Sequence, residues 1–94
     1  MGLLFEWDLG KGQRNLAIHG VSFDEASTAF QDPLSVTIQD TLHSRDEERW
    51  VLLGNYHRHR LLVVVHTERG DRIRIISARR ATNKERQQYE ERGE

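Results

Sequence analysis

At 94 residues, 36% hydrophobic and 31% charged, the chain has room for one domain, and a domain this small hides only about 60–65% of its unfolded surface. The absence of cysteine excludes a disulfide scaffold and thiol chemistry. No apolar run reaches the roughly 18 residues of a membrane helix, and Met1–Asp8 has neither the basic start nor the apolar stretch of a signal peptide, so a cytoplasmic protein is expected. The net charge of −1 conceals an asymmetry: residues 1–56 carry 4 Lys+Arg against 9 Asp+Glu, and residues 57–86 carry 9 against 3. Such a basic segment attracts phosphates or an acidic protein, or is a set of solvated faces.

Leu3 to Asp8 alternates Phe5 and Trp7 with Glu6 and Asp8, the period of a half-buried strand. After Gly10 and Gly12 a helix is predicted over Lys11 to Ile18, stopped by His19-Gly20, where glycine suits the left-handed position. Ser22 with Glu25 three residues later predicts a capping box. Phe23, Ala26 and Phe30 fall on one face of that second helix, and Asp32-Pro33 ends it. Strand-like runs follow at Ser35–Asp40, Glu48–Tyr56, Arg60–Thr67 and Arg72–Arg79. The third, with Leu61-Leu62-Val63-Val64-Val65, reads as a central strand covered on both faces. Glu68-Arg69-Gly70-Asp71 is a turn, and the short links imply an antiparallel meander. A last helix starts at Thr82, capped by the Thr82-x-x-Glu85 box, and runs to about Glu91. The expected class is α+β: a small, twisted, mostly antiparallel sheet with two N-terminal helices and one C-terminal helix.

The chain offers no metal motif. His57 and His59 are two apart, but Arg58 and Arg60 beside them disfavour a dication, and they read as a turn-exposed pair. Gly10-x-Gly12 is too short for a phosphate-cradling loop, and no serine sits in a nucleophile elbow. No cofactor is expected. An inventory of Arg, His and Glu remains, and metal-free RNA cleavage needs little more. The 2′-hydroxyl must lose a proton, the phosphorane charge must be stabilised and the leaving oxygen must gain a proton. Candidates cluster at His43 to Arg49, at His66, at Arg72 to Arg80, and at Glu85-Arg86 with Tyr89. Strand parity puts Glu47, Arg49, Val51 and Leu53 on one face, where Arg49 is either a site residue or a surface partner of Glu47. In a regular last strand Arg72, Arg74 and Ile76 share one face, and Arg79 follows the parity of Ile73 and Ile75. Arg79 on an apolar face means either that the strand ends near Ala78 or that Arg79 is held in a concave site.

Phe5-Glu6-Trp7-Asp8, Lys11 and Asn15, His19-Gly20-Val21-Ser22-Phe23-x-Glu25-Ala26, and Phe30-x-Asp32-Pro33 together resemble the opening of the BrnT family. Asp40-x-x-His43-Ser44-x-x-Glu47-x-Arg49, the strand ending in Gly54, and Arg74-Ile75-Ile76-Ser77-Ala78-Arg79-x-Ala81-Thr82-x-x-Glu85-Arg86-x-x-Tyr89 continue the resemblance, which thus spans residues 5 to 89. It departs at His57-Arg58-His59-Arg60, where a glycine-containing hairpin is more usual. The resemblance implies a RelE-like fold and a ribonuclease toxin. It also implies an antitoxin of the BrnA type with a ribbon–helix–helix domain, a complex with two copies of each chain, and contact with operator DNA only through the antitoxin. The expected function is a metal-independent endoribonuclease that acts on mRNA and inhibits translation. The alternative is a non-catalytic module whose basic face docks a partner protein. Matched positions carry family function to Arg49, Arg79, Glu85, Arg86 and Tyr89, with His43 and Glu47 matching as well. With the residue inventory, the expected catalytic set is Arg49, Arg79, His43, Glu47 and His66. The expected RNA contacts are Arg69, Arg72, Arg74, Arg80, Glu85, Arg86 and Tyr89.

Overall fold

The computed structural model describes residues 2–56 and 60–91; the His57–His59 pair lies outside them. The chain runs β1 (Leu4–Glu6), α1 (Leu9–His19), α2 (Phe23–Thr28) continued by a 3-10 turn over Ala29–Gln31, β2 (Val36–Gln39), β3 (Arg49–Tyr56), β4 (Arg60–Arg69), β5 (Arg72–Arg80) and α3 (Asn83–Glu91). The strands make one five-stranded sheet in the order β1-β5-β4-β3-β2. Every neighbouring pair is antiparallel except β1–β5, which is parallel. The α+β class and the mostly antiparallel sheet are those expected.

The helix starts and stops follow capping chemistry. α1 begins two residues before the expected Lys11, because the Asp8 carboxylate accepts from the Lys11 N–H at 2.9 Å and satisfies an otherwise orphaned donor. Gly10 and Gly12 therefore lie inside the helix. At Gly12 a Cβ would meet the Trp7 and Phe23 rings at 3.5 Å, so α1 sits close against them. Gly20 ends α1 at φ 70°. The Ser22–Glu25 capping box forms in both directions at 3.0 Å, as does the Thr82–Glu85 box before α3.

The main core lies between α1–α2 and one face of the sheet. Val21, Phe23, Ala26 and Ala29 pack on Leu52, Tyr56, Leu62, Val64, Ile75 and Ala78. At Gly54 a Cβ would sit 2.7 Å from the Ala29 carbonyl oxygen, so the helical layer rests directly on the strand backbone there. β1 pairs with β5 only over Arg72–Arg74, which leaves the outer edge of β5 without a strand beyond that point. The buried Asn15 amide of α1 takes its place. Its Nδ2 donates to the carbonyls of Ala78 (2.7 Å) and Val21 (2.9 Å), and its Oδ1 accepts from the Ala78 N–H (3.1 Å).

A β-bulge resolves the parity of the last strand. Val65 faces Ser77 but His66 faces Ile75, so Ile76 is the extra residue. A bulge exchanges the faces of the residues beyond it. Ile75 and Ala78 can thus both point to the helices while Arg74 and Arg79 both point to the opposite face. β5 does not end at Ala78; it continues to Arg80.

The pairing register arranges that opposite face in rows across the sheet. One row is Arg49–Thr67–Arg74–Glu6, the next Ile38–Val51–Val65–Ser77, and the next Val36–Leu53–Val63–Arg79. α3 packs against β3 at the far end, over Asn55. It is tied down there by Tyr89, whose hydroxyl donates to Asp32 Oδ2 at 2.5 Å and accepts from Asn55 Nδ2 at 3.1 Å.

Candidate active site

The connection from β2 to β3 builds a cleft of about 620 Å³ lined by Leu42, His43, Arg45, Asp46, Glu47, Arg49 and Arg69. Ser44 holds this connection to the start of β3. Its hydroxyl donates to the Asp40 carbonyl at 2.5 Å and accepts from the Arg49 N–H at 2.9 Å, while the Asp40 N–H donates to the Arg49 carbonyl at 2.8 Å. Asp40, Ser44 and Arg49 are thereby fixed relative to one another by backbone-directed bonds.

His43 is anchored to this frame. Its Nδ1 lies 2.9 Å from Asp40 Oδ2 and 3.2 Å from Oδ1. A carboxylate only accepts, so Nδ1 carries the proton and Nε2 is left to face solvent. The His43 side chain is 65% exposed and Asp40 only 17%, which suits an oriented imidazole on a semi-buried support. Glu47 pairs with Arg69 across the mouth at 3.4 Å. The Arg49 guanidinium has no carboxylate within ion-pair distance among the described residues, so the expected alternative of a Glu47–Arg49 pair is replaced by Glu47–Arg69. Among the described residues no three His, Cys, Asp or Glu side chains form a metal-ligand cluster.

Four expected site residues thus come together: His43, Glu47, Arg49 and Arg69. The others are placed elsewhere. His66 is buried, 5% exposed, on the helix side of the sheet, with its ring 4.8 Å from Phe30 and its Nδ1 3.4 Å from the Val64 carbonyl. Burial holds its imidazole below the ordinary value of 6.5. It belongs to the core and cannot serve as the expected proton carrier in the cleft. Tyr89 is buried under α3 and ties Asp32 to Asn55, so its hydroxyl is spent on the fold rather than offered to RNA. Arg74 shares the row of Arg49 and pairs with Glu6 at 2.8 Å. Arg72, Arg80 and Arg86 are exposed and do not line the cleft.

Arg79 and Glu85 form a bidentate pair, each guanidinium nitrogen 2.8 Å from one carboxylate oxygen. The Arg79 hydrogen bonds, helped by the Thr82 cap, pull the Glu85 carboxyl down to about 2. Arg79 is still 43% exposed and lies at the end of the Val36–Leu53–Val63 row, away from the His43 cleft. Asp40 is the functional neighbour that sequence reasoning left without a role. Its signal was the Asp40-x-x-His43 spacing, which in a turn brings the two side chains together.

Comparison with known proteins shows the family. The model of the family described as "Ribonuclease toxin, BrnT, of type II toxin-antitoxin system" matches residues 7–85. The chain belongs to the BrnT family. Among solved structures, the Brucella abortus ribonuclease toxin BrnT is similar with a TM-score of 0.67 at 20% identity, covering 87% of this chain and 100% of that one. At that identity the likeness establishes the shared fold. No curated protein matches the chain. Membership identifies a ribonuclease toxin of a type II toxin–antitoxin system, with an antitoxin as its partner. The family match spans both the Asp40–Arg49 cleft and the Arg79–Glu85 pair.

Proposed function

We propose that the chain is a metal-independent endoribonuclease that cleaves mRNA in the cytoplasm, thereby inhibiting translation, and that the His43 cleft is its active site. The observation that carries this reading is the Asp40-anchored His43 imidazole in one cleft with the Arg49 guanidinium, which has no carboxylate partner among the described residues. In the reaction, the 2′-oxygen of RNA forms a bond to phosphorus as the bond to the 5′-oxygen breaks. The 2′-hydroxyl proton goes to a base, and the departing 5′-oxygen receives a proton. Nε2 of His43 serves one of these transfers, and Glu47, released from Arg69, is placed for the other. Arg49 presents a fork that matches phosphate oxygens and stays charged, which suits the charge that develops on the phosphorane. Arg69 and Arg74 flank the approach of the backbone. The antitoxin is of the BrnA type, carries a ribbon–helix–helix domain, assembles with two copies of each chain and alone contacts operator DNA.

Cleavage of naked RNA by the purified chain tests this reading. Activity should persist in EDTA, and His43→Ala and Arg49→Ala should each lower the single-turnover rate by about 10²-fold. Binding of uncleaved RNA should weaken steeply from low to physiological salt, because counterions are released from phosphates. Loss of cleavage on chelation with recovery in Mg²⁺ would overturn the metal-independent mechanism. Retained activity in both variants would remove the cleft.

A further inference from the structure

The sheet face opposite α1 and α2 carries an aliphatic band that runs from buried Val63 beside α3, through half-buried Leu53, Val51 and Val65, to exposed Ile38. Ile38, Val51 and Val65 form one row and Val36, Leu53 and Val63 the next. Between this band and α3, closed by Glu85 and Gln88, lies a groove of about 180 Å³. Ile38 is 61% exposed on it. A contiguous, partly exposed aliphatic surface that ends on an exposed edge strand marks an interaction site.

The edge of the sheet points the same way. β2 is an outer strand, and Ser35-Val36-Thr37-Ile38-Gln39 contains no charge and no proline. Unpartnered edge strands usually carry such residues to prevent association. The band also lacks aromatic side chains, whereas sequence-tolerant RNA binding relies on stacking against aromatics. Its chemistry therefore suits a protein partner better than bases.

Charge narrows the occupant. The row beside the band begins at Arg49, whose guanidinium has no carboxylate partner among the described residues. A segment lying along the band fills the aliphatic rows and reaches Arg49 with its end, so a carboxylate there completes the charge complementarity. We propose that this face receives an amphipathic segment of the antitoxin, with aliphatic residues on the Ile38–Val51–Leu53 band and an acidic residue on Arg49. In this arrangement the antitoxin carboxylate takes the place of the substrate phosphate, so neutralisation and RNA binding exclude each other. The contact itself rests on the family's antitoxin and on this surface. Only its inhibitory consequence rests on Arg49 as a site residue.

The test uses the full chain and the protein encoded by the neighbouring gene, with binding measured by calorimetry and cleavage measured separately on free toxin. Ile38→Asp places a like charge on the band at an exposed edge. It should weaken binding of the neighbouring-gene product by 10-fold or more (about 10–100-fold for an interface anchor) and leave cleavage by free toxin within about 2-fold. Leu9→Asp, on the exposed side of α1 where Leu9 is 76% exposed, should change neither. Unchanged affinity in Ile38→Asp, or loss confined to Leu9→Asp, overturns the proposal. So does a free toxin that is dimeric and becomes monomeric in Ile38→Asp, since the band is then covered by a second copy. If wild-type toxin binds but cleaves no RNA, and Ile38→Asp still loses binding, the docking surface stands and only the ribonuclease mechanism fails.

Discussion

Replacing Arg79 separates a structural from a catalytic role, because the structure shows what the residue does in the resting fold. Its guanidinium holds both oxygens of Glu85, and Glu85 also caps α3 through the Thr82 N–H. The fall of the Glu85 carboxyl from 4.5 to about 2 corresponds to about 3 kcal/mol at 1.36 kcal/mol per unit. That total includes the cap, and Arg79 is 43% exposed. Solvent screening therefore brings the expected loss in Arg79→Ala to about 1–1.5 kcal/mol. For a domain of this size that is a fall in Tm of about 5–10 °C. Glu85→Gln should cost at least as much, since it weakens the pair and the cap together. The sign with pH follows from the depressed value: the Glu85 contribution is full above about 4.5 and fades as pH falls toward about 2. Single-turnover cleavage on the same preparations supplies the other half of the test. If Arg79 also stabilises the transition state, Arg79→Ala loses about 10²-fold in rate, Arg79→Lys recovers little, and Glu85→Gln keeps the rate because the guanidinium remains. Equal destabilisation in Arg79→Ala and Glu85→Gln, with full per-molecule activity in both, would refute any role for Arg79 beyond tethering α3. An unchanged Tm in Arg79→Ala would refute the tether itself.

Three further outcomes are expected. Gly54→Ala must move the Ala29 carbonyl that lies 2.7 Å from the new Cβ and should lower stability by about 1–3 kcal/mol, read from urea midpoints; a neutral result would mean the helical layer is not in contact there. Asn15→Ala leaves the Ala78 N–H and the Val21 carbonyl without their buried partner and should cost about 2–3 kcal/mol, and calorimetric Tm values within 2–3 °C of wild type (about half a kcal/mol) would contradict that bridging role. Because burial holds His66 neutral below its ordinary value of 6.5, the unfolded chain binds the extra proton. Stability should therefore fall as pH drops below about 6.5, and a His66→Gln variant with the same slope between pH 7 and 5 would locate the effect elsewhere.

The elements announced by local chemistry were legible in the sequence. Ser22 with Glu25, Thr82 with Glu85 and Gly20 each fix a helix end through neighbours three or four residues away, and the fold follows them. The cluster of His43, Glu47 and Arg49 was legible because seven consecutive residues form one connection. What stayed hidden depended on distant partners. A bulge is a relation between two strands, so the sequence of β5 alone could not show that Ile76 is extra or that Arg74 and Arg79 share a face. His66 resembled a proton carrier because nothing in its neighbourhood announces Phe30 above it. Tyr89 resembled a substrate contact because Asp32 and Asn55 lie far back in the chain.

The parallel pairing of β1 with β5 has a consequence in time. Leu4–Glu6 has no strand to join until Arg72–Arg74 exists, and the Asn15 amide has no edge to cap until Ala78 does. During synthesis at about 5–20 residues per second, most of the chain emerges before the β5 edge of the sheet can be covered. Contacts that span more than sixty residues also slow folding of the released chain, because their loop entropy is lost before they form. A ribosome that stalls short of Arg72 leaves a meander with neither its first strand paired nor the Asn15 amide of its first helix bonded to β5. Native toxin therefore accumulates only from completed translation.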